Sequence, residues 1–145
     1  MLGKPVISLQ EGYVPETKKK PTLAPLLGVR KGREAIDFYK KAFGATELFR
    51  TESEDGAVVA QLSIGDYNFW LADESPEHKN YSPESLGGST VRMVLVADDP
   101  DAVFNQAVAA GATALWPMVD QSYGWRIGRV VDPFGHHWEI GKPLH

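Results

Sequence analysis

From Ala35 to Phe43 apolar residues recur at helical spacing: Ala35, Ile36, Phe38, Tyr39, Ala42 and Phe43 form one stripe, while Lys31, Arg33, Lys40 and Lys41 lie opposite. A period near 3.6 with a charged opposite side predicts a helix laid on a core. Further along, VVAQLSIG and YNFWLAD change to a period of two around Gly65 and Asp66, the pattern of two strands joined by a tight turn. Pairing Ile64 with Tyr67 assigns the faces. Ala60, Leu62, Ile64, Tyr67, Phe69 and Leu71 share one, which is apolar and expected against a helix. Val59, Gln61, Ser63, Asn68, Trp70 and Ala72 share the other. That second face mixes amide, hydroxyl and indole, as a ligand-facing surface does; a solvent face carrying one tryptophan has the same pattern.

The arrangement occurs twice. AIDFYKKAFGATEL, residues 35–48, aligns with AVFNQAVAAGATAL, residues 102–115, at an offset of 102 − 35 = 67, with Ala35/Ala102, Ala42/Ala109, Gly44/Gly111, Ala45/Ala112, Thr46/Thr113 and Leu48/Leu115 identical. An apolar run, TLAPLLGV or TVRMVLVA, precedes each segment, and strand-like runs follow. Each half reads strand, helix, strand, strand, strand. In the second half Asp98 or Asp99 is placed to cap the helix, Pro100 suits its first turn, and Gly111 can take the left-handed conformation that ends it. A cation site on DDPD is the functional alternative to capping. The expected class is α+β, with two tandem βαβββ modules at about 22–74 and 89–143, a linker at about 75–88, and an N-terminal arm over 1–21. The polar, proline-bearing stretch from Ala72 to Ser89 suits a connection between modules better than a lid. In the arm, KKK at Lys18 to Lys20 reads as a tail, and PVISL as an edge strand or a reach toward a neighbouring subunit.

Composition then removes whole classes of function. A hydrophobic share of 43% and a charged share of 23% over 145 residues are those of one compact domain. Fifteen Lys and Arg against nineteen Asp and Glu give a net charge of −4, which argues against a nucleic-acid partner. Without cysteine there are no disulfides, iron–sulfur clusters, thiolate metal sites or cysteine nucleophiles. No apolar run approaches the ~20 residues of a membrane span, so no membrane partner is expected and the cytoplasm is the default location. G-x-S-x-G, Walker and G-x-G-x-x-G motifs are absent as well.

Chemistry concentrates near the C-terminus, in DPFGHHWEI, residues 132–140. DPFG is turn chemistry, with Pro133 suited to the second position of a type I turn and Gly135 to its end. Alternation then places His137 and Glu139 on one face of the outgoing strand, and His136 and Trp138 on the other. A histidine and a glutamate on one face can transfer protons or hold a cation.

The paired modules, with AIDFYKKAFGA after an apolar strand, GDYNFWLADE, and DPFGHHWE near the end, resemble the glyoxalase/bleomycin-resistance (vicinal oxygen chelate) superfamily, in its PhnB-like branch, over residues 22–143. The resemblance implies an eight-stranded curved sheet around a cleft with the helices outside. Its members include metal-dependent lyases, isomerases, dioxygenases and thiol transferases, and metal-free proteins that sequester antibiotics, so fold does not settle function. The metal-ligand positions it implies fall on Ala24, Trp70 (or Phe69 if the register slips by one), Val91 and Glu139. Only the last has a lone pair for a cation, so no metal or other cofactor is expected. Val59 and Gln61 also stand where many PhnB-like relatives carry His and Glu.

Glu139, partly dry in such a cleft, needs a partner. If Asp132 pairs with Gly135, Arg126 falls on its face; a bulge would substitute Arg129. Two functions follow. One is a binder whose cleft, lined by Gln61, Asn68, Trp70, Arg126, His137 and Glu139, holds a planar or cationic small molecule. The other is a lyase or isomerase using His137 and Glu139 as base and acid, with or without a metal in an unusual place. The binder is the preferred reading, and a twofold homodimer is the expected assembly.

Overall fold

The structure, a computed structural model, describes residues 19–145. Residues 1–18, which hold the PVISL segment and Lys18, lie outside the described residues. Module one runs β1 (Leu26–Val29), α1 (Gly32–Phe43), β2 (Thr46–Glu52), β3 (Val58–Ile64) and β4 (Tyr67–Asp73). After a connection holding the short helix α2 (Pro83–Leu86), module two repeats it: β5 (Arg92–Val96), α3 (Pro100–Ala110), β6 (Thr113–Asp120), β7 (Trp125–Val131) and β8 (His137–Pro143).

The fold is α+β with two tandem βαβββ modules, its eight strands forming two four-stranded sheets ordered β1-β4-β3-β2 and β5-β8-β7-β6 that do not close on one another. In each, the first strand runs parallel to the last and the remaining pairs are antiparallel. Helices α1 and α3 touch one another, and the sheets share one core that includes Ile36, Tyr39, Leu62, Leu71, Val130 and Ile140, all fully buried. One face of each sheet is committed to that core, and the opposite faces look away from it.

Local chemistry explains the boundaries. Asp99 accepts from the Ala102 N–H to cap α3, Pro100 opens its first turn, and Gly111 closes it at φ 128°. DDPD is therefore a helix start. Helix α1 begins after Lys31, which offers no side-chain cap. Instead Asp73, at the end of β4, accepts from the Gly32 and Val58 N–H groups. The Gly65-Asp66 turn pairs Ile64 with Tyr67, with a positive φ at Gly65 alone, as a type II′ turn requires. The faces of β3 and β4 are as the alternation predicts: Ala60, Leu62, Phe69 and Leu71 are buried. Tyr67, beside the turn, is exposed.

Two polar joints fix the modules and their connection. Asp132 is buried; its Oδ1 accepts from the Phe134 and His136 N–H groups and its Oδ2 from the Tyr39 hydroxyl and the Trp138 indole, at 2.6–2.9 Å. Burial, with the neighbouring Asp132 carboxylate, pushes the Tyr39 phenol well above its usual range. Glu74 holds the connection by accepting from the Ser82 N–H, the Ser85 hydroxyl and Arg30. These donors, the Ser82 N–H foremost, hold its carboxyl down at about 2. Among the described residues no helix is long and apolar enough to cross a membrane.

Candidate functional site

The outer face of the first sheet, turned from the core, is built by strand pairing. Trp70 lies opposite Gln61 on β3 and beside Leu26 on β1, and Gln61 lies opposite Phe49 on β2. Phe49 and Trp70 meet edge to face, with ring centroids 6.0 Å apart. Aromatic pairs favour this geometry. Gln61, Asn68 and Trp70, together with Thr22, Leu23, Ala24, Asp66 and Tyr67, line an open cleft of about 560 Å³. Phe49 escapes alternation arguments because a bulge between Glu47 and Phe49 resets the register of β2.

The outer face of the second sheet carries the charges. Here the Arg126 expectation fails. Gly135 donates to the Asp132 carbonyl and adopts φ 91°, while the Asp132 N–H bonds to the His136 carbonyl. The DPFG turn therefore closes a three-residue loop with a glycine bulge, not a two-residue one. That extra residue shifts the pairing by one, so Arg129 stands opposite Glu139 and Arg126 opposite Lys142. Arg126 projects from the other face and grips Asp101 at the start of α3 through Nε and Nη2, at 2.8 and 2.7 Å.

Glu139 is thus held by a different pair. Its Oε1 accepts from Arg129 Nη2 at 3.0 Å and lies 2.8 Å from Arg92 Nε. Arg92 is out of reach of sequence reasoning, because only the parallel pairing of β5 with β8 brings it beside this strand. A cationic ligand, one half of the sequence expectation, would meet a carboxylate already shared by two guanidinium groups. His137 is on the same face, half-buried, while His136 is buried and donates from Nε2 to the Gly28 carbonyl at 2.8 Å. Trp116, opposite Arg129 on β6, joins Tyr123, Ile127, Arg129 and Glu139 around a second cleft of about 300 Å³.

Trp70 and Glu139 hold equivalent places in the two modules: each is on a last strand, beside an aliphatic residue of the parallel first strand (Leu26, Val94) and opposite a polar one of the third (Gln61, Arg129). Within one chain Trp70 and Glu139 line different clefts, and the structure does not bring them into one.

Residues 23–140 match the profile of the Glyoxalase/Bleomycin resistance protein/Dioxygenase superfamily. The chain belongs to that superfamily. It is 42% identical over 139 residues to an uncharacterized protein of Mycobacterium tuberculosis, covering 93% of this chain and 82% of that one. An uncharacterized protein of Arabidopsis thaliana is 30% identical over 122 residues, covering 78% of this chain and 72% of that one. Among solved structures, TioX from Micromonospora sp. ML1 is similar at a TM-score of 0.66 and 26% identity, over 86% of this chain and all of that one. The fosfomycin resistance protein FosX from Listeria monocytogenes, at 12% identity and a TM-score of 0.68 over 86% of this chain and 94% of that one, shares the fold.

Metal-using members of the superfamily need lone pairs at the four positions named above, and this chain does not fit. Ala24 and Val91 offer only aliphatic side chains, Trp70 an indole, and Glu139 a carboxylate engaged by two arginines. Among the described residues no group of three or more His, Asp or Glu side chains is disposed to hold a metal ion.

Proposed function

We propose that this superfamily member is a non-catalytic binder of flat small molecules, with the ligand ring on Trp70 and its polar edge on Gln61 and Asn68. The observation that carries the reading is the Phe49–Trp70 pair, an edge-to-face aromatic platform opening into a cleft with two side-chain amides. Side-chain amides lining a cleft orient a ligand while aromatic area supplies affinity. The lyase or isomerase alternative would need Glu139 free to take and return a proton, whereas its Oε1 already serves Arg92 and Arg129. Membership of the PhnB-like branch and a cytoplasmic location are parts of the same reading, resting on GDYNFWLADE and DPFGHHWE and on the cysteine-free composition.

A twofold homodimer completes the proposal. Leu26 on β1 and Val94 and Val96 on β5, all more than half exposed, leave two edge strands with aliphatic outer surfaces. Apolar surface of this kind favours burial against another chain, and a second copy would wall off clefts that are open in one. Sedimentation at micromolar concentration should give twice the chain mass; a monomer would remove this part of the reading.

Binding itself is tested by calorimetry with the neutral flat probe 2-naphthamide. Trp70→Ala should abolish the heat of binding while the melting temperature stays close to that of the unaltered protein. Undiminished binding by the variant would move the platform elsewhere.

A further inference from the structure

Two guanidinium groups and one carboxylate share the outer face of the second sheet, and their arithmetic is unbalanced. Arg92 and Arg129 both address the same oxygen of Glu139. One positive charge is left over. Arg129 is the more confined of the two, with a side chain 22% exposed against 51% for Arg92, and among the described residues its Nε–H is buried without an acceptor. An orphaned buried donor is rare in a folded protein and marks a place where an acceptor belongs. The cleft beside it is walled by Trp116, Pro117, Tyr123 and Ile127, so apolar and aromatic surface adjoins the excess charge.

We propose that this face binds a small aromatic carboxylate, with its ring against Trp116 and Tyr123 and its carboxylate on Arg92 and Arg129. The planar guanidinium fork suits a carboxylate better than any other side chain does, and a flat ring gains contact area over the exposed indole of Trp116. Glu139 then acts as a place-holder: it neutralises one arginine when the site is empty and sets how much positive charge an incoming anion meets. The inference rests on the reading of the outer faces as small-molecule surfaces, but it concerns the second sheet and names an anion where the sequence suggests a planar or cationic ligand.

The test compares 2-naphthoate with 2-naphthamide, which has the same ring and no charge, by calorimetry on the full chain. Naphthoate should bind roughly tenfold or more tightly than the amide, the worth of a charge-assisted hydrogen bond. Arg92→Gln, at a half-exposed position where folding is not at stake, should remove that preference and leave amide binding unchanged. Trp116→Ala should weaken naphthoate, and Glu139→Gln should tighten it by releasing both arginines. Equal binding of the two probes, or a preference that survives Arg92→Gln, overturns the anion site. If both probes bind equally and both are lost in Trp70→Ala, the first-sheet platform stands and only this inference falls. If the naphthoate preference follows Arg92 and Trp116 while Trp70→Ala changes neither probe, this inference stands and the platform falls. If neither probe binds, both fall together.

Discussion

The hydroxyl of Tyr39, in the middle of α1, donates a 2.6 Å hydrogen bond to Asp132, which opens the last hairpin of the other module. Both groups are buried, and the same carboxylate oxygen also takes the Trp138 indole N–H. The bond thus couples packing between modules to the shape of the turn that presents His137 and Glu139. Tyr39→Phe should cost about 1–2 kcal/mol in urea unfolding, since it removes one of four donors. Asp132→Ala strands all four and should cost about 3 kcal/mol or more. Equal costs for the two variants would mean that the turn does not depend on the carboxylate.

Trp70 and Phe69 are adjacent in sequence and opposite in fate. Phe69 is buried against Tyr39 and Trp138, while Trp70 is half-buried and touches Phe49 on the outer face. Phe69→Ala should therefore destabilise by about 3–5 kcal/mol, as large-to-small core changes do. Trp70→Ala should cost roughly 1 kcal/mol, the worth of one aromatic pair. Chemical denaturation of both variants reads the difference directly, and a reversed order would invert the faces of β4.

Close backbone approach makes two glycines sensitive without any appeal to turn geometry. A Cβ at Gly28 would lie 2.6 Å from the Tyr81 carbonyl oxygen, and one at Gly141 would collide with the Arg126 carbonyl oxygen on the neighbouring strand. Carbonyl oxygens in paired or anchored segments do not move aside as flexible side-chain ends do. Either substitution to alanine should lower stability by about 1–3 kcal/mol, the usual cost of overpacking. Thermal melts check this, with Gly88→Ala, where a Cβ meets nothing, as the control.

Acid should loosen the connection between the modules. Glu74 has its carboxyl lowered from an ordinary 4.5 to about 2 by the Ser82 N–H, the Ser85 hydroxyl and Arg30. A depressed folded pKa stabilises above the unfolded value, and that contribution is lost as pH falls from about 4.5 toward 2. Melting temperatures followed from neutral pH downward should show Glu74→Gln less stable than the parent at neutral pH. The two curves should converge in acid. A constant separation would mean that ionisation of Glu74 contributes nothing.

Much of this protein is legible in its sequence, because the signals are local. The 67-residue repeat, a helix start at Asp98 or Asp99 with Pro100 and Gly111, and the alternation that separates Phe69 from Trp70 depend only on neighbours along the chain, and each appears in the structure, with Asp99 as the cap. Glu139 and His137 were likewise placed on one face by period two alone. What the sequence left open was the partner of Glu139: Arg126 fails, and Arg129, the partner that a bulge would supply, stands there. One residue of loop length in DPFG decides whether Arg126 or Arg129 stands opposite, and a glycine bulge cannot be told from a two-residue turn by composition. Arg92 was invisible for a stronger reason: parallel strands are joined by long crossovers, so nothing near it in sequence records that β5 lies along β8. The separation of the two clefts belongs to the same category. Local chemistry says which side of a strand is polar, but only the packing of both modules on one core decided that Trp70 and Glu139, in equivalent places, line different clefts.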